Sequence, residues 1–208
     1  MIPILMITHN RLSYTMKAVK VLYSCPDVDL YIIDNGSTDR TVNWLRCCYY
    51  GVKVIFNREN MGIAYAMNQF LERTRNFPIV GKVDNDTIVP NDFVKKMRPH
   101  LSKADIVQAK HKLIEASKVG TFDEWVSKMP ADGALRFNSF VGGSGILFRS
   151  DKVDLIPETD NKIMGWRQWQ REHREVKKAF ATDVEVKLLD EDGYPEEYHD
   201  YYKQTGRL

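Results

Sequence analysis

Short apolar runs alternate with longer amphipathic segments along the first hundred residues. The apolar runs at residues 4–7, 30–33 and 52–56 predict strands, and a fourth strand through Ile79 and Val80 leads to Asp84. Between the runs, apolar side chains recur every three or four residues, which indicates helices. The helical apolar positions are Leu12, Met16, Val19 and Tyr23; Val42, Leu45 and Tyr49; Ile63, Met67, Phe70 and Leu71; and Phe93, Val94, Met97 and Leu101.

This alternation of strands with helices predicts the α/β class. The expected architecture is a single Rossmann-like domain with a mostly parallel central sheet and helices on both faces. Such sheets bind ligands at the carboxyl ends of their strands. Thr8, Asp34 and Asp84 fall at those ends, so we expect them to line one crevice.

The second half of the chain is less regular. Residues 105–109 read as a strand, and two strand-like runs flank the glycine segment Gly142-Gly143-Ser144. Apolar residues at helical spacing predict a helix from about residue 165 to 180, with Trp166 and Trp169 on its core side. Its opposite side carries a basic stripe, namely Arg167, Arg171, Arg174 and Lys178. Since there is no internal repeat or low-complexity linker, one domain over residues 1–208 is the economical interpretation.

Composition adds only broad limits. The 208 residues are 43% hydrophobic and 28% charged, with a net charge of +2, as in ordinary soluble globular proteins. This mild positive charge permits an anionic substrate without requiring a nucleic acid. No apolar run is long enough to span a membrane. The three cysteines are too few for a disulfide framework, so we expect a cytoplasmic protein in a reducing environment.

The most informative motif is Asp84-Asn85-Asp86, which follows the fourth strand. Two carboxylates one residue apart provide hard oxygen ligands suited to Mg²⁺ or Mn²⁺ and, through the metal, to a diphosphate. The alternative is a surface turn, which Asp and Asn also favour. The position of the motif beside other polar strand ends favours the metal site.

A second polar segment, Asp34-Asn35-Gly36-Ser37-Thr38-Asp39, follows the second strand. Gly36 can adopt a left-handed backbone, and the residues after it can cap the next helix. Asp34 can also accept hydrogen bonds from a nucleobase or ribose, as carboxylates at strand ends do in nucleotide-binding sheets. The two interpretations are compatible.

Four motifs together resemble those of the family 2 glycosyltransferases in order and spacing. They are Thr8-His9-Asn10-Arg11, Asp34 to Asp39, Asn60-Met61-Gly62-Ile63-Ala64 with Asn68, and Asp84-Asn85-Asp86. The glycine segment, followed by Gly145, is also similar to that family's acceptor-side segment. The resemblance covers residues 3 to about 150 and implies the A-type nucleotide-sugar transferase fold, a UDP-sugar-like donor and a divalent metal, Mn²⁺ or Mg²⁺.

The same resemblance implies roles for individual residues. Asp86 and Asp84 would hold the metal, and the glycine segment would face the acceptor. The residues it assigns to the donor are Thr8, Asn10, Arg11, Asp34, Asn35, Ser37, Arg58, Asn60, Gly62, Asp84 and Asn85. The chain would divide into a nucleotide-sugar-binding half (1–103), an acceptor-side half (104–190) and a tail or lid (191–208).

The general base is where the sequence departs from the family. A carboxylate pair is expected at the start of the helix after the glycine segment, but residues 164–169 contain no carboxylate. Asp160 is the best substitute, with Glu158 and Glu172 nearby. A displaced base, a retaining mechanism, an activated acceptor and a loss of activity all remain open.

The tail contains His199 among tyrosines. By resemblance to transferases of this fold, His199 is a candidate third metal ligand; the alternative is an exposed histidine. The tyrosines could close a lid that excludes water from the donor, or simply pack the tail against the sheet.

Three functions follow from these features. The first is a metal-dependent glycosyltransferase acting on an acceptor hydroxyl, for which the basic stripe allows a hydroxylated DNA base of the kind found in some phage genomes. The stripe could equally be a solvated helix face, and a glycan or protein acceptor is an alternative. The second function is a nucleotide-sugar-binding module without catalysis. The third is a nucleotidyltransferase, although the first strand is not followed by the glycine-rich phosphate loop it would need.

Overall fold

A computed structural model describes residues 1–47, 51–111, 122–159 and 165–189. Its strands are β1 (Ile2–Thr8), β2 (Val28–Asn35), β3 (Lys53–Asn57), β4 (Ile79–Lys82), β5 (Thr87–Ile88), β6 (Ile106–His111), β7 (Ala131–Asp132), β8 (Leu135–Phe137), β9 (Ile146–Arg149) and β10 (Lys178–Leu188). Its α-helices are α1 (Leu12–Ser24), α2 (Thr41–Arg46), α3 (Gly62–Thr74), α4 (Phe93–Met97), α5 (Phe122–Ser127) and α6 (Gly165–Glu172). Two 3₁₀ turns, Arg98–Ser102 and Ser150–Lys152, follow α4 and β9.

The strands form one sheet in the order β3-β2-β1-β4-β9-β6-β10-β8-β7, and β5 pairs with β10. Strands β3, β2, β1 and β4 are mutually parallel, and β6 is parallel to β10. Strand β9 is inserted antiparallel between β4 and β6. The prediction of a mostly parallel α/β sheet is therefore confirmed.

Two apolar cores lie on the two faces of this sheet, because alternate residues of a strand point to opposite faces. Ile4 and Met6 of β1 belong to one core, together with apolar residues of α1 and α4. Leu5, between them, belongs to the other core, together with residues of α3 and α6. Helices therefore cover both faces, as the periodicity predicted.

The predicted helix over residues 165–180 is wrong in its second half. Helix α6 ends at Glu172, and residues from Lys178 onward form β10. Strand β10 pairs with β6 on one side and with β8 on the other. This pairing satisfies the backbone of residues 178–181 in the sheet, and it overrides the helical spacing of Val176 and Phe180.

The basic stripe therefore does not exist as one helix face. Arg167 and Arg171 are exposed on α6, and Arg174 lies beyond its end. Lys178 is buried in β10, where its ammonium donates to the carbonyl oxygens of His173 at 2.6 Å and Val176 at 2.9 Å. The expectation that Trp166 and Trp169 face the core is confirmed, because both are buried.

Two proposed site residues, Asp160 and His199, lie outside the described residues, as does the proposed tail at 191–208. In the described part of the chain, no helix has both the length and the apolar character that crossing a membrane requires.

Candidate active site

Three polar strand ends meet at one edge of the sheet. Thr8, the last residue of β1, is paired in register with Asp34 on β2. On the other side of β1, Leu5 is paired with Lys82, the last residue of β4. Asn85 closes the gap, since its amide nitrogen lies 3.3 Å from the Thr8 hydroxyl and 3.1 Å from the Thr15 hydroxyl. The three strand ends thus form one continuous polar edge, as the sequence predicted.

Asp34 is fully buried at this edge. Its Oδ1 accepts a hydrogen bond from the Ser37 backbone N–H at 3.0 Å. Its Oδ2 is buried and has no hydrogen-bond partner among the described residues. A buried carboxylate oxygen without a partner carries a desolvation cost, so this atom is suited to accept a hydrogen bond from a bound molecule.

The loop after β2 is fastened to the end of β1 by Asn10. The Asn10 backbone N–H donates to the Ser37 hydroxyl at 2.7 Å, and its side-chain oxygen accepts from the Thr38 N–H at 2.8 Å. Asn10 and Arg11 both have positive φ angles, 57° and 61°. Arg11 takes the N-cap position of α1 without a side-chain cap. Asn10 therefore holds the Asp34 loop in place.

Asn35 connects the same edge to the start of α3. Its amide nitrogen donates to Asn60 Oδ1 at 3.0 Å and to the Gly62 carbonyl oxygen at 3.1 Å. Its own side-chain oxygen accepts from the Met61 N–H at 3.2 Å. Asn35, Asn60 and Gly62 thus join two elements, whereas Arg58, in the loop after β3, is exposed.

Asp84-Asn85-Asp86 forms an acidic segment, and each of its two carboxylates contacts a positively charged side chain. The ammonium of Lys82 contacts Asp84 Oδ1. The guanidinium of Arg11 lies 3.1 Å from Asp86 Oδ2, and it also donates to Asn85 Oδ1 at 2.6 Å. The side chains of Arg11 and Lys82 are only 6% and 2% exposed. Arg11, which the resemblance assigned to the donor, therefore also positions the acidic pair.

The chemistry of these carboxylates fits a hard divalent cation, because both offer oxygen ligands. The Asp84 side chain is 36% exposed, so a ligand can reach it, and Lys82 engages only one of its oxygens. No cluster of three or more acidic, histidine or cysteine side chains suited to a metal occurs in the described ranges. A metal here would thus take ligands beyond the two aspartates.

The glycine segment lies directly beside the acidic pair. The Lys82 ammonium donates to the Gly143 carbonyl oxygen at 2.6 Å, and the Asp84 N–H donates to the Ser144 hydroxyl at 2.8 Å. Gly142 is held from the other side, because the Trp166 indole N–H donates to its carbonyl oxygen at 3.1 Å. The predicted donor side and acceptor side are thus in direct contact.

Sequence reasoning missed two residues of this site, Lys82 and Gln108. Gln108 is buried, and its side-chain oxygen accepts from the Gly142 N–H. The signal for Lys82 was a single lysine within an otherwise apolar strand run that ends at Asp84. Such a charge is buried only when it is paired.

Two of the carboxylates considered as a general base, Glu158 and Glu172, belong to the described residues, and no contact found there brings either of them into the crevice. Glu158 is exposed. Glu172 is also exposed and accepts a hydrogen bond from Gln168 at 2.9 Å.

The sequence was compared with protein families and with curated proteins, and the fold with solved structures. A family model described as glycosyl transferase family 2 matches residues 4–175. No curated protein matches the chain.

Several solved structures share the fold. TarS 1–349 from S. aureus, in complex with UDP-GlcNAc, superposes with a TM-score of 0.67 at 14% identity, over 97% of this chain and 63% of that one. The mannosyltransferase PcManGT from Pyrobaculum calidifontis, in complex with GDP-Man and Mn²⁺, gives 0.72 at 15% identity, over 98% and 60%. GalNAc-T7 with UDP, GalNAc and Mn²⁺ gives 0.68 at 10% identity, over 89% and 43%. The chain therefore spans less than two thirds of the length of each of these structures.

Proposed function

Because the chain belongs to glycosyl transferase family 2, we propose that it is a metal-dependent glycosyltransferase. It would move a sugar from a nucleotide-sugar donor, UDP-linked, to an acceptor hydroxyl. The complexes of TarS with UDP-GlcNAc and of PcManGT with GDP-Man and Mn²⁺ support a donor of this class. Residues 1–103 would form the donor-binding half and residues 104–190 the acceptor-side half.

The observation that carries the proposal is the buried Oδ2 of Asp34, which has no hydrogen-bond partner among the described residues. A nucleoside has N–H and O–H groups that can donate to it. Asp34 lies beside Thr8 at the sheet edge, and the acidic pair lies across β1 from it. A nucleotide placed along this edge would have its nucleoside at Asp34 and its diphosphate at Asp84 and Asp86.

Asp84 and Asp86 are the residues that would hold the metal. A divalent cation bound there supplies Lewis-acid stabilisation of the negative charge that builds on the departing diphosphate. Lys82 and Arg11 orient the two carboxylates, and Ser144 fixes the backbone at Asp84. The glycine segment, in contact with this group, would present the acceptor hydroxyl to the sugar.

The acceptor is proposed only as a hydroxyl. The hypothesis of a hydroxylated DNA base depended on a basic helix face of four residues, and the structure reduces that face to Arg167 and Arg171 on α6, because Lys178 is buried in β10. The described residues do not favour DNA over a glycan or a protein acceptor. The alternative of a non-catalytic nucleotide-sugar-binding module depends on the missing carboxylate pair, and it is separated from a transferase by experiment.

The test is incubation of the protein with a panel of nucleotide sugars and Mn²⁺, measuring the release of free nucleoside diphosphate. We expect release from at least one donor, a drop of about a hundredfold or more in Asp86→Asn, and loss on chelation. Asp132→Asn is the matched control, because Asp132 forms an exposed ion pair with Lys103. Donor binding without turnover would indicate a binding module, and release of pyrophosphate would indicate a nucleotidyltransferase.

A further inference from the structure

The two carboxylates of the acidic segment are paired with positively charged side chains from outside the segment. Lys82 and Arg11 are both buried, and each contacts one of the two carboxylates, those of Asp84 and Asp86. A buried ammonium or guanidinium is costly unless it is paired. Among the described residues, two cations and two carboxylates therefore lie together at the end of β4, and their formal charges cancel.

This neutrality changes what the site can bind. A divalent cation approaching two isolated carboxylates is attracted by two negative charges. Here the same cation also meets the positive charges of Lys82 and Arg11, one on each carboxylate. Like charges only a few ångströms apart repel one another, and the repulsion between buried groups is screened less than it is in water, so the two cations weaken the binding of a divalent cation alone.

A nucleoside diphosphate reverses this balance because it brings its own negative charges. We propose that Lys82 and Arg11 act as internal counter-ions that make divalent-cation binding depend on the diphosphate. The metal then binds weakly to the free protein and strongly together with the nucleotide. This proposal rests on the proposed function, since it takes the acidic pair as the metal and diphosphate site.

The competing explanation is that Lys82 is a purely structural brace, that is, a residue that only holds the glycine segment in place, because its ammonium also donates to the Gly143 carbonyl oxygen. A brace and a counter-ion differ in a measurable way. Removal of a brace loosens the glycine segment and leaves the metal affinity unchanged or lower. Removal of a counter-ion raises the affinity of the protein for the metal alone.

The experiment measures Mn²⁺ binding by electron paramagnetic resonance, with and without saturating UDP. In the wild-type protein, we expect UDP to tighten Mn²⁺ binding about tenfold or more. In Lys82→Gln, which replaces the ammonium with an uncharged N–H donor, we expect Mn²⁺ alone to bind about tenfold more tightly than in the wild type. The effect of UDP should shrink accordingly.

Two further variants make the outcome specific to the charge at this position. Lys82→Arg keeps the charge, so it should retain the weak wild-type affinity for Mn²⁺ alone. Lys96→Gln removes a lysine from an exposed i,i+4 pair with Asp92 on α4 and should leave Mn²⁺ binding unchanged. Lys82→Met replaces Lys82→Gln if the latter does not fold, and it carries the same expectation.

The proposal is overturned if neutral substitutions of Lys82 do not tighten Mn²⁺ binding, or if Lys82→Arg tightens it equally. It is also overturned if the wild type binds Mn²⁺ equally well with and without bound UDP. Failure of the protein to bind UDP under any condition contradicts the proposed function instead. In that case the metal-only comparison of Lys82→Gln with the wild type still decides whether Lys82 is a counter-ion.

Discussion

Gly36 is the position where a single added methyl group should do most damage to the donor side of the site. Its φ angle is +78°, which is unfavourable for residues with a side chain. A Cβ at this position would lie 2.4 Å from the Glu59 carbonyl carbon and 2.8 Å from the Asn60 backbone nitrogen. Since both contacts are with backbone atoms, Gly36→Ala cannot be accommodated by a change of rotamer.

The cost has two parts that the structure allows us to separate. A left-handed backbone costs an alanine about 1–2 kcal/mol. The contact with the backbone at Glu59 adds about 1–3 kcal/mol as the loop is displaced. Gly133 also has a positive φ angle, +59°, but a Cβ there would meet no atom within 4 Å. Gly133→Ala therefore measures the backbone term alone.

The assay is urea unfolding of the wild type, Gly36→Ala and Gly133→Ala, followed by tryptophan fluorescence. We expect Gly36→Ala to lose about 2–5 kcal/mol of unfolding free energy, clearly more than Gly133→Ala. Because the loop contains the Ser37 N–H that binds Asp34, Gly36→Ala should also weaken UDP binding, and Gly133→Ala should not. Equal destabilisation of the two variants would show that the Glu59 backbone does not clash with a side chain at position 36, and unchanged UDP binding in Gly36→Ala would show that this loop does not shape the donor site.

Two further predictions concern buried cations. Arg11→Met should lower the unfolding free energy by about 3–5 kcal/mol, because it leaves the buried Asp86 carboxylate without its guanidinium. In urea unfolding, the double variant Arg11→Met/Asp86→Asn should recover part of this loss. Burial lowers the pKa of Lys178, more than Glu175 and Asp105 raise it. The native state therefore releases this proton at a lower pH than the unfolded state does, and stability is gained as the pH rises from the folded pKa to the unfolded one. Relative to Lys178→Met, the wild type should thus gain unfolding free energy as alkaline pH approaches 10.5, the unperturbed value, and a constant difference over that range would contradict the assignment.

The first half of the fold was predictable because its signals are local and agree with each other. The apolar runs of β1, β2 and β3 each end at polar residues, and each is followed by a segment of helical period. Strand β10 was missed because Val176 and Phe180 fit a helical spacing. Its pairing with β6, about seventy residues earlier in the chain, has no local signal.

The residues of the candidate site that lie at the ends of parallel strands were predictable from the sequence. Parallel strands end at one edge, so Thr8, Asp34 and Asp84 could be brought together from strand order alone. The partners of the carboxylates could not be predicted in this way. Arg11 reaches Asp86 only because the chain turns through two left-handed residues before α1, and sequence spacing does not reveal that geometry.

In the proposed function, a nucleotide lies along the edge formed by β1, β2 and β4, with its nucleoside at Asp34 and its diphosphate at the acidic pair. A crystal structure of the protein with UDP and Mn²⁺ would show whether the nucleotide takes this position. We expect a hydrogen bond from the nucleoside to Asp34 Oδ2, and Mn²⁺ bound by the carboxylates of Asp84 and Asp86 beside the diphosphate. A nucleotide bound elsewhere on the protein, or one bound at this edge that makes no hydrogen bond to Asp34 Oδ2, would rule this arrangement out.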